Sequence, residues 1–135
     1  MTVTELGRAT MDGYLHALVT RGSFADFFTD DVTLDMIGGG QSAEGRAQVE
    51  GFIRFAHEQA FDGRPELKSM IVDPDGSRAA LEFDFVGRHT GEFAGILATG
   101  RNVRIPYSVH YDLTDGGISA LRIYGLTEGL ASALR

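Results

Sequence analysis

The chain has 135 residues, 18 of them glycine, no cysteine, and a formal charge of −7 at pH 7. That length suits one domain, 1–135, whose folding hides roughly two-thirds of the surface of the unfolded chain, and the missing cysteine excludes disulfides, thiolate metal sites and cysteine nucleophiles. Lys68 is the single lysine and the arginines are scattered, so the clustered cations that nucleic acid requires are absent.

The first periodic segment runs from about Thr4 to Val19, with Leu6, Met11, Tyr14, Leu15 and Leu18 at helical spacing. Arg21-Gly22-Ser23 stops it, and Ser23 is placed to cap a short second helix over Phe24 to Phe28. Val32 to Met36 reads as a strand, and Gly38-Gly39-Gly40 as a turn; the lysine and hydroxyl of a phosphate-binding loop are missing there. Ala47 to Ala60 is a helix with Val49, Phe52, Ile53, Ala56 and Ala60 inward, ended by Asp62-Gly63-Arg64-Pro65. The period then changes to two. Strands are expected over Leu67–Val72, Ala79–Val86, Val103–Leu113 and Ile118–Tyr124. Turns fall at Pro74–Ser77 and Thr114–Gly117, a long loop at Gly87–Asn102, and a short helical tail after Leu126. Helices first and a meander of strands second argue for an α+β domain.

No apolar run is long enough for a bilayer, and Met1–Thr10 has no export signal, so a cytoplasmic protein is expected. No two histidines have helical metal-ligand spacing and no His/carboxylate cluster stands out, so neither a metal nor another cofactor is expected. Glu82 and Asp84 alternate with Leu81, Phe83 and Phe85, which puts the carboxylates on the solvent or interface side. His110 alternates with Val109 and Tyr111 and so faces opposite to Tyr107 and Tyr111.

Several strings resemble the NTF2-like superfamily, and the SnoaL-like polyketide cyclase family within it. They are His89-Thr90-Gly91-Glu92-Phe93-Ala94-Gly95-Ile96, then Ala98-Thr99-Gly100-Arg101, with Val103 and Pro106, and the opening Phe27-Phe28-Thr29-Asp30-Asp31-Val32. The resemblance implies a cone: N-terminal helices packed on a strongly curved antiparallel sheet around a pocket, the chain pairing as a homodimer through the outer sheet face. Glycines 87, 91, 95 and 100 allow the bend. Phe83, Phe85, Tyr107 and Tyr111 are the expected lining for a small hydrophobic molecule.

What the resemblance implies chemically is an acid or base deep in the cone, where burial brings a carboxylate into the useful range. The family's acid near the end of the last strand corresponds here to Leu126, which transfers no proton, and the acids of epoxide hydrolase relatives to Ile123 and Leu126. The base of ketosteroid isomerase would fall on Met36, with Asp35 one residue early, and its second acid on Val109. Candidate catalytic residues are therefore Asp35 and His57 as bases, Tyr14 as oxyanion donor and Tyr124 as an alternative donor. Arg122 shares strand parity with Tyr124 and, facing inward, would give a polar handle for a ligand carbonyl; His110 is a further candidate ligand contact. His16 is expected on the surface, and His89 to hold its loop. Two functions follow: a cofactor-free cyclase, isomerase or dehydratase acting on a hydrophobic carbonyl compound, or a non-catalytic binding or scaffold domain on the same fold.

Overall fold

The computed structural model describes residues 1–135. Helix α1, Val3–Val19, starts with a reciprocal cap: Glu5 N–H donates to the Thr2 hydroxyl at 3.1 Å, and Thr2 N–H to the Glu5 carboxylate at 3.3 Å. Its buried stripe is Gly7, Met11, Tyr14 and Leu18. Leu6, expected in that stripe, is half-exposed, because Gly7 makes the close approach to Val72 and Leu113 instead. One 3-10 turn, Phe24–Phe27, replaces the expected second helix, and the Ser23 side chain does not cap it.

Six strands follow: β1 Phe28–Ile37, β2 Ser42–Glu44, β3 Phe61–Val72, β4 Arg78–His89, β5 Asn102–Thr114 and β6 Gly117–Tyr124. Helix α2, Arg46–Arg54, lies between β2 and β3, and α3, Leu126–Ala133, follows β6. No helix is long and apolar enough to cross a membrane. The sheet order is β2-β1-β6-β5-β4-β3. It is a mixed sheet, not the purely antiparallel one expected, because β1 inserts beside β6 and runs parallel to it. Bulges between Phe28 and Thr33, Leu67 and Ser69, and Asp112 and Leu113 break the registers and bend the strands.

The strand β3 begins six residues earlier than the sequence suggests, at Phe61, and carries Gly63 and Pro65 within it. Both residues are turn-formers, yet both have a place here. Pro65 is tolerated because β3 is the edge of the sheet and one face of its backbone needs no donor. Gly63 lies under the Phe85 ring, where a Cβ would come within 2.5 Å of Phe85 Cζ. Its register partner is Gly87, so two residues without side chains face each other in the ladder.

On the inner face, Phe61, Phe83, Phe85, Val109, Tyr111, Leu121, Leu34 and Met36 pack beneath α1 and α2. Fully burying one such aromatic is worth roughly 1.5–3 kcal/mol. The 90–101 loop folds back through a tight Phe93–Ile96 bridge, with Ala94 and Gly95 both at positive φ. Two clamps hold its ends: His89 N–H donates to Arg101 O, and Gly100 N–H to His89 O. Helix α3 closes over the start of β5, with Gly129 against Ile105.

Candidate active site

Strand parity sorts the candidate residues onto two faces. The register sets Phe83 opposite Tyr107, Phe85 opposite Ile105 and Ala79 opposite Tyr111. All of these share the inner face, where Phe83 and Tyr107 stack with ring centroids 5.2 Å apart. Tyr14 comes down from α1 into an aromatic nest, its ring 5.9 Å from Tyr111, 5.6 Å from Phe28 and 6.2 Å from Phe24. Burial pushes the phenols of Tyr14, Tyr107 and Tyr111 well above their ordinary range. A Tyr14 phenolate would repel one at Tyr107 or Tyr111, which raises both further. All three are therefore hydrogen-bond donors at any physiological pH.

His57 reaches the same interior from a wider helical coil. The helix expected over Ala47–Ala60 is α-helical only to Arg54, and Phe55–Ala60 forms a π-helical turn, a feature found often at functional sites. Arg54 locks the outside of this turn, with Nε 2.7 Å from Glu50, Nη1 2.8 Å from Glu58 and Nη2 2.9 Å from Gly22 O. The buried line is Val49, Ile53, His57 and Ala60; Ala56, expected there, is only half-buried. His57 Nδ1 lies 2.8 Å from Ile53 O. A carbonyl only accepts, so Nδ1 carries the proton and Nε2 is left as a bare lone pair. That Nε2 is buried and has no hydrogen-bond partner. The ring is tilted against Phe85 at 5.3 Å. Burial lowers its pKa; the Ile53 contact raises it, but less, and nearby Arg21 lowers it again. His57 is thus a neutral imidazole with its acceptor nitrogen inside the cone.

Asp35, His110, Arg122 and Tyr124 sit on the other face. Leu34 and Met36 take the inward positions of β1, so alternation turns Asp35 out to solvent. Leu121 and Ile123 do the same on β6 and put Arg122 and Tyr124 outside, which is why the polar handle expected inside the cone is absent from it. On the outer face Asp35 is the strand-register neighbour of Arg122, and Arg122 that of His110. Arg122 is held by Asp112 through two contacts of 3.0 and 3.1 Å, and His110 packs on the Tyr124 ring at 5.3 Å.

The interior therefore holds no carboxylate. His57 and His89 are the only buried side chains of the polar and charged types, and Met36, Val109 and Leu126 occupy the inner positions of the expected acids. No three His, Asp or Glu side chains converge as metal ligands would. One surface hollow lies between the start of α1 and the turns at Gly76 and Gly116, and another beside Tyr124, bordered by Asp84, Tyr107 and Ser108.

A sequence profile of the SnoaL-like domain matches residues 13–121. The chain belongs to the SnoaL-like domain family. No protein of curated function matches it. Solved structures share the SnoaL-like fold at low identity. A provisionally named polyketide cyclase of Xanthomonas campestris pv. campestris is 19% identical, with a TM-score of 0.84, covering 99% of this chain and 100% of its own. A similarly named protein of Pseudomonas putida KT2440 is 24% identical, with a TM-score of 0.80, covering 100% and 99%. A SnoaL-like protein of Jannaschia sp. CCS1, also provisionally named a polyketide cyclase, is 17% identical, with a TM-score of 0.85, covering 99% and 94%. At such identities the likeness establishes the fold alone. Alternation with outward residues sets Tyr107, Tyr111 and His89 on the inner face of that SnoaL-like fold.

Proposed function

We propose that this SnoaL-like chain is a cofactor-free acid–base enzyme of the cyclase, isomerase or dehydratase type. Its substrate would be a small hydrophobic carbonyl compound, with His57 as base and a buried tyrosine as oxyanion donor. The observation that carries this reading is the unpartnered His57 Nε2, held in its basic tautomer by Ile53 inside an apolar interior. Nε2 would take a proton from the carbon next to the carbonyl. The C–H electron pair would become the C=C bond of an enolate, and the carbonyl π pair would move to oxygen. That oxygen would accept from the hydroxyl of Tyr14, or from Tyr107 or Tyr111 beside it, all kept protonated by burial. Returning the proton from the imidazolium to another carbon completes an isomerisation; delivering it instead to a β-hydroxyl, which leaves as water with the C–O electron pair while the enolate re-forms the carbonyl and a new C=C bond, gives a dehydration.

A β,γ-unsaturated steroid ketone, followed by the absorbance of its conjugated product, tests the reading. His57→Phe is expected to lower kcat by about 10²–10⁴-fold, the usual contribution of general acid–base catalysis, while Asp35→Asn leaves it unchanged. Full activity in His57→Phe would overturn the assignment. The second reading, a binding domain, is favoured by the packed interior without a carboxylate; tight ligand binding with no turnover of any enolisable ketone would establish it.

The proposed partner of the outer sheet face is a second copy of the chain. Ile71, Ile37 and Tyr124 are exposed there, beside the opposite charges of Arg122 with Asp112 and Arg104 with Asp84, a self-complementary pattern. Light scattering should give twice the chain mass, and Ile71→Glu should return the monomer.

A further inference from the structure

Helix α1 leaves an apolar face uncovered at its start. Val3, Leu6, Gly7 and Thr10 are spaced three and four residues apart and share one side of the helix. Val3 is 56% exposed and Leu6 52%, although Leu6 belongs to the apolar series that takes Met11, Tyr14 and Leu18 into the core. The gap beside them has a structural cause. Two turns grip α1 at different heights: the Thr4 hydroxyl donates to Pro74 O at 2.7 Å, and the Thr10 hydroxyl to Gly116 O at 3.4 Å. Gly7, Gly76 and Gly116 border the space between these clamps and have no side chains to fill it. What remains is a hollow of about 400 Å³ whose apolar lining is Val3, Leu6 and Leu113. Small-molecule sites run from about 300 to 1,000 Å³.

The charged part of the lining is acidic. Asp75 and Asp115 come from the two turns, and no Arg, Lys or His lines the hollow. Asp75 accepts from the Ser77 N–H at 3.0 Å and from the Ser77 hydroxyl at 2.6 Å, donors that favour its charged form. Neither carboxylate takes part in an ion pair of the chain. Arg78, the cation of the first turn, attracts Asp75 but forms no ion pair with it. Shape and charge together specify an occupant. A hydrocarbon body removes Val3, Leu6 and Leu113 from water, and a positive end answers two carboxylates that the fold leaves without a counter-charge.

We infer that this hollow is a binding site for a small organic cation, an alkyl or cycloalkyl ammonium, with its hydrocarbon body on Val3, Leu6 and Leu113 and its ammonium towards Asp75 and Asp115. The occupant is a free molecule and not a segment of a partner chain, because the clamps at Thr4 and Thr10 close the hollow at both ends along α1. The site shares no residue with the acid–base machinery of the cone, so the two readings stand or fall separately.

The test titrates the full 15N-labelled chain with cyclohexylmethylammonium and with its neutral and anionic counterparts, cyclohexylmethanol and cyclohexanecarboxylate. The ammonium should shift the amides of Leu6, Gly7, Thr10, Gly76 and Gly116 along a saturable curve. The alcohol should bind about threefold more weakly, the worth of an exposed ion pair, and the carboxylate should not bind. Raising NaCl from about 20 to about 500 mM should narrow the gap between ammonium and alcohol, because salt screens exposed charges. Asp75→Asn with Asp115→Asn, which keeps a side-chain acceptor on each turn, should bring the ammonium down to the affinity of the alcohol. Leu6→Ser should weaken both ligands about equally; unchanged amide spectra away from the hollow check that each variant is folded. Equal affinity for ammonium and alcohol, or undiminished ammonium binding in either folded variant, would overturn the site. So would shifts confined to the acidic turns without Leu6 and Gly7, the mark of a diffuse counter-ion. Tighter binding of the peptide acetyl-Leu-Lys-Leu-amide than of the free amine would overturn it in favour of a partner chain.

Discussion

The His57 imidazole and the Ile53 carbonyl oxygen, one helical turn apart, meet at 2.8 Å from Nδ1. The contact fixes the tautomer, while burial opposes the charged form and lowers the pKa below the ordinary 6.5. Between pH 6.5 and the lower value of the folded state, the unfolded chain binds the proton more readily than the folded one. Stability from this group therefore falls as pH drops below about 6.5 and levels off beneath the folded pKa. Urea unfolding of wild type and His57→Phe across that range should show the variant losing less stability on acidification. Parallel curves would mean that His57 titrates alike in both states.

Tyr14 allows the donor role to be separated from packing. Tyr14→Phe keeps the ring contacts with Phe24, Phe28 and Tyr111 and removes only the hydroxyl. If that hydroxyl holds the developing oxyanion, kcat should fall by about 10²-fold or more, with KM and the thermal midpoint little changed. An equal loss in KM alone would assign it to ground-state binding.

Gly63→Ala should destabilise the fold by about 1–3 kcal/mol, the usual cost of overpacking. The added methyl meets the Phe85 ring, itself wedged between His57 and Phe61. Shortening the opposing side chain should give it room, so Gly63→Ala combined with Phe85→Leu should be more stable than the sum of the single effects. A chemical-denaturation double-mutant cycle measures this coupling.

Gly129 faces Ile105 at a distance that leaves no space for a Cβ, which would approach to 2.5 Å. Alanine is the better helix former, so Gly129→Ala strengthens α3 locally while pushing it off β5. Hydrogen exchange should therefore quicken at the amides of β5 around Ile105 although α3 itself gains helical propensity. Unchanged protection at Ile105 would show that the side chain gives way without moving the helix.

Much of this architecture is written in plain alternation. Leu81, Phe83 and Phe85 against Glu82 and Asp84 mark an inner and an outer face without ambiguity. The cone followed from that and from the strings around His89 and Arg101. The site was less legible because each strand must be phased separately. Asp35 and Arg122 have no meaning until β1 and β6 are aligned, and their parallel pairing joins residues far apart in sequence. The π-turn was hidden for another reason: Phe55–Ala60 has an ordinary helical composition, and the wider coil is fixed by Arg54, Ala60 and the 89–91 segment around it. Gly63 and Pro65 were misleading because edge position and a neighbouring ring, not turn chemistry, explain them.

The parallel pairing of β1 with β6 also constrains how the chain reaches its native state. Phe28 and Ile118 share a register, as do Met36 and Ile123, so the centre of the sheet is completed by residues from near both termini. The β3–β4–β5 meander can zip locally, but β1 and its β2 hairpin have no permanent neighbour until β6 exists. During synthesis the hydrophobic side of β1, with Val32, Leu34 and Met36, must wait for β6 to emerge. Such long-range closure makes folding slow and leaves a strand edge open meanwhile. The charges of Asp30, Asp31 and Asp35 along that waiting strand act as guards against pairing with another nascent chain.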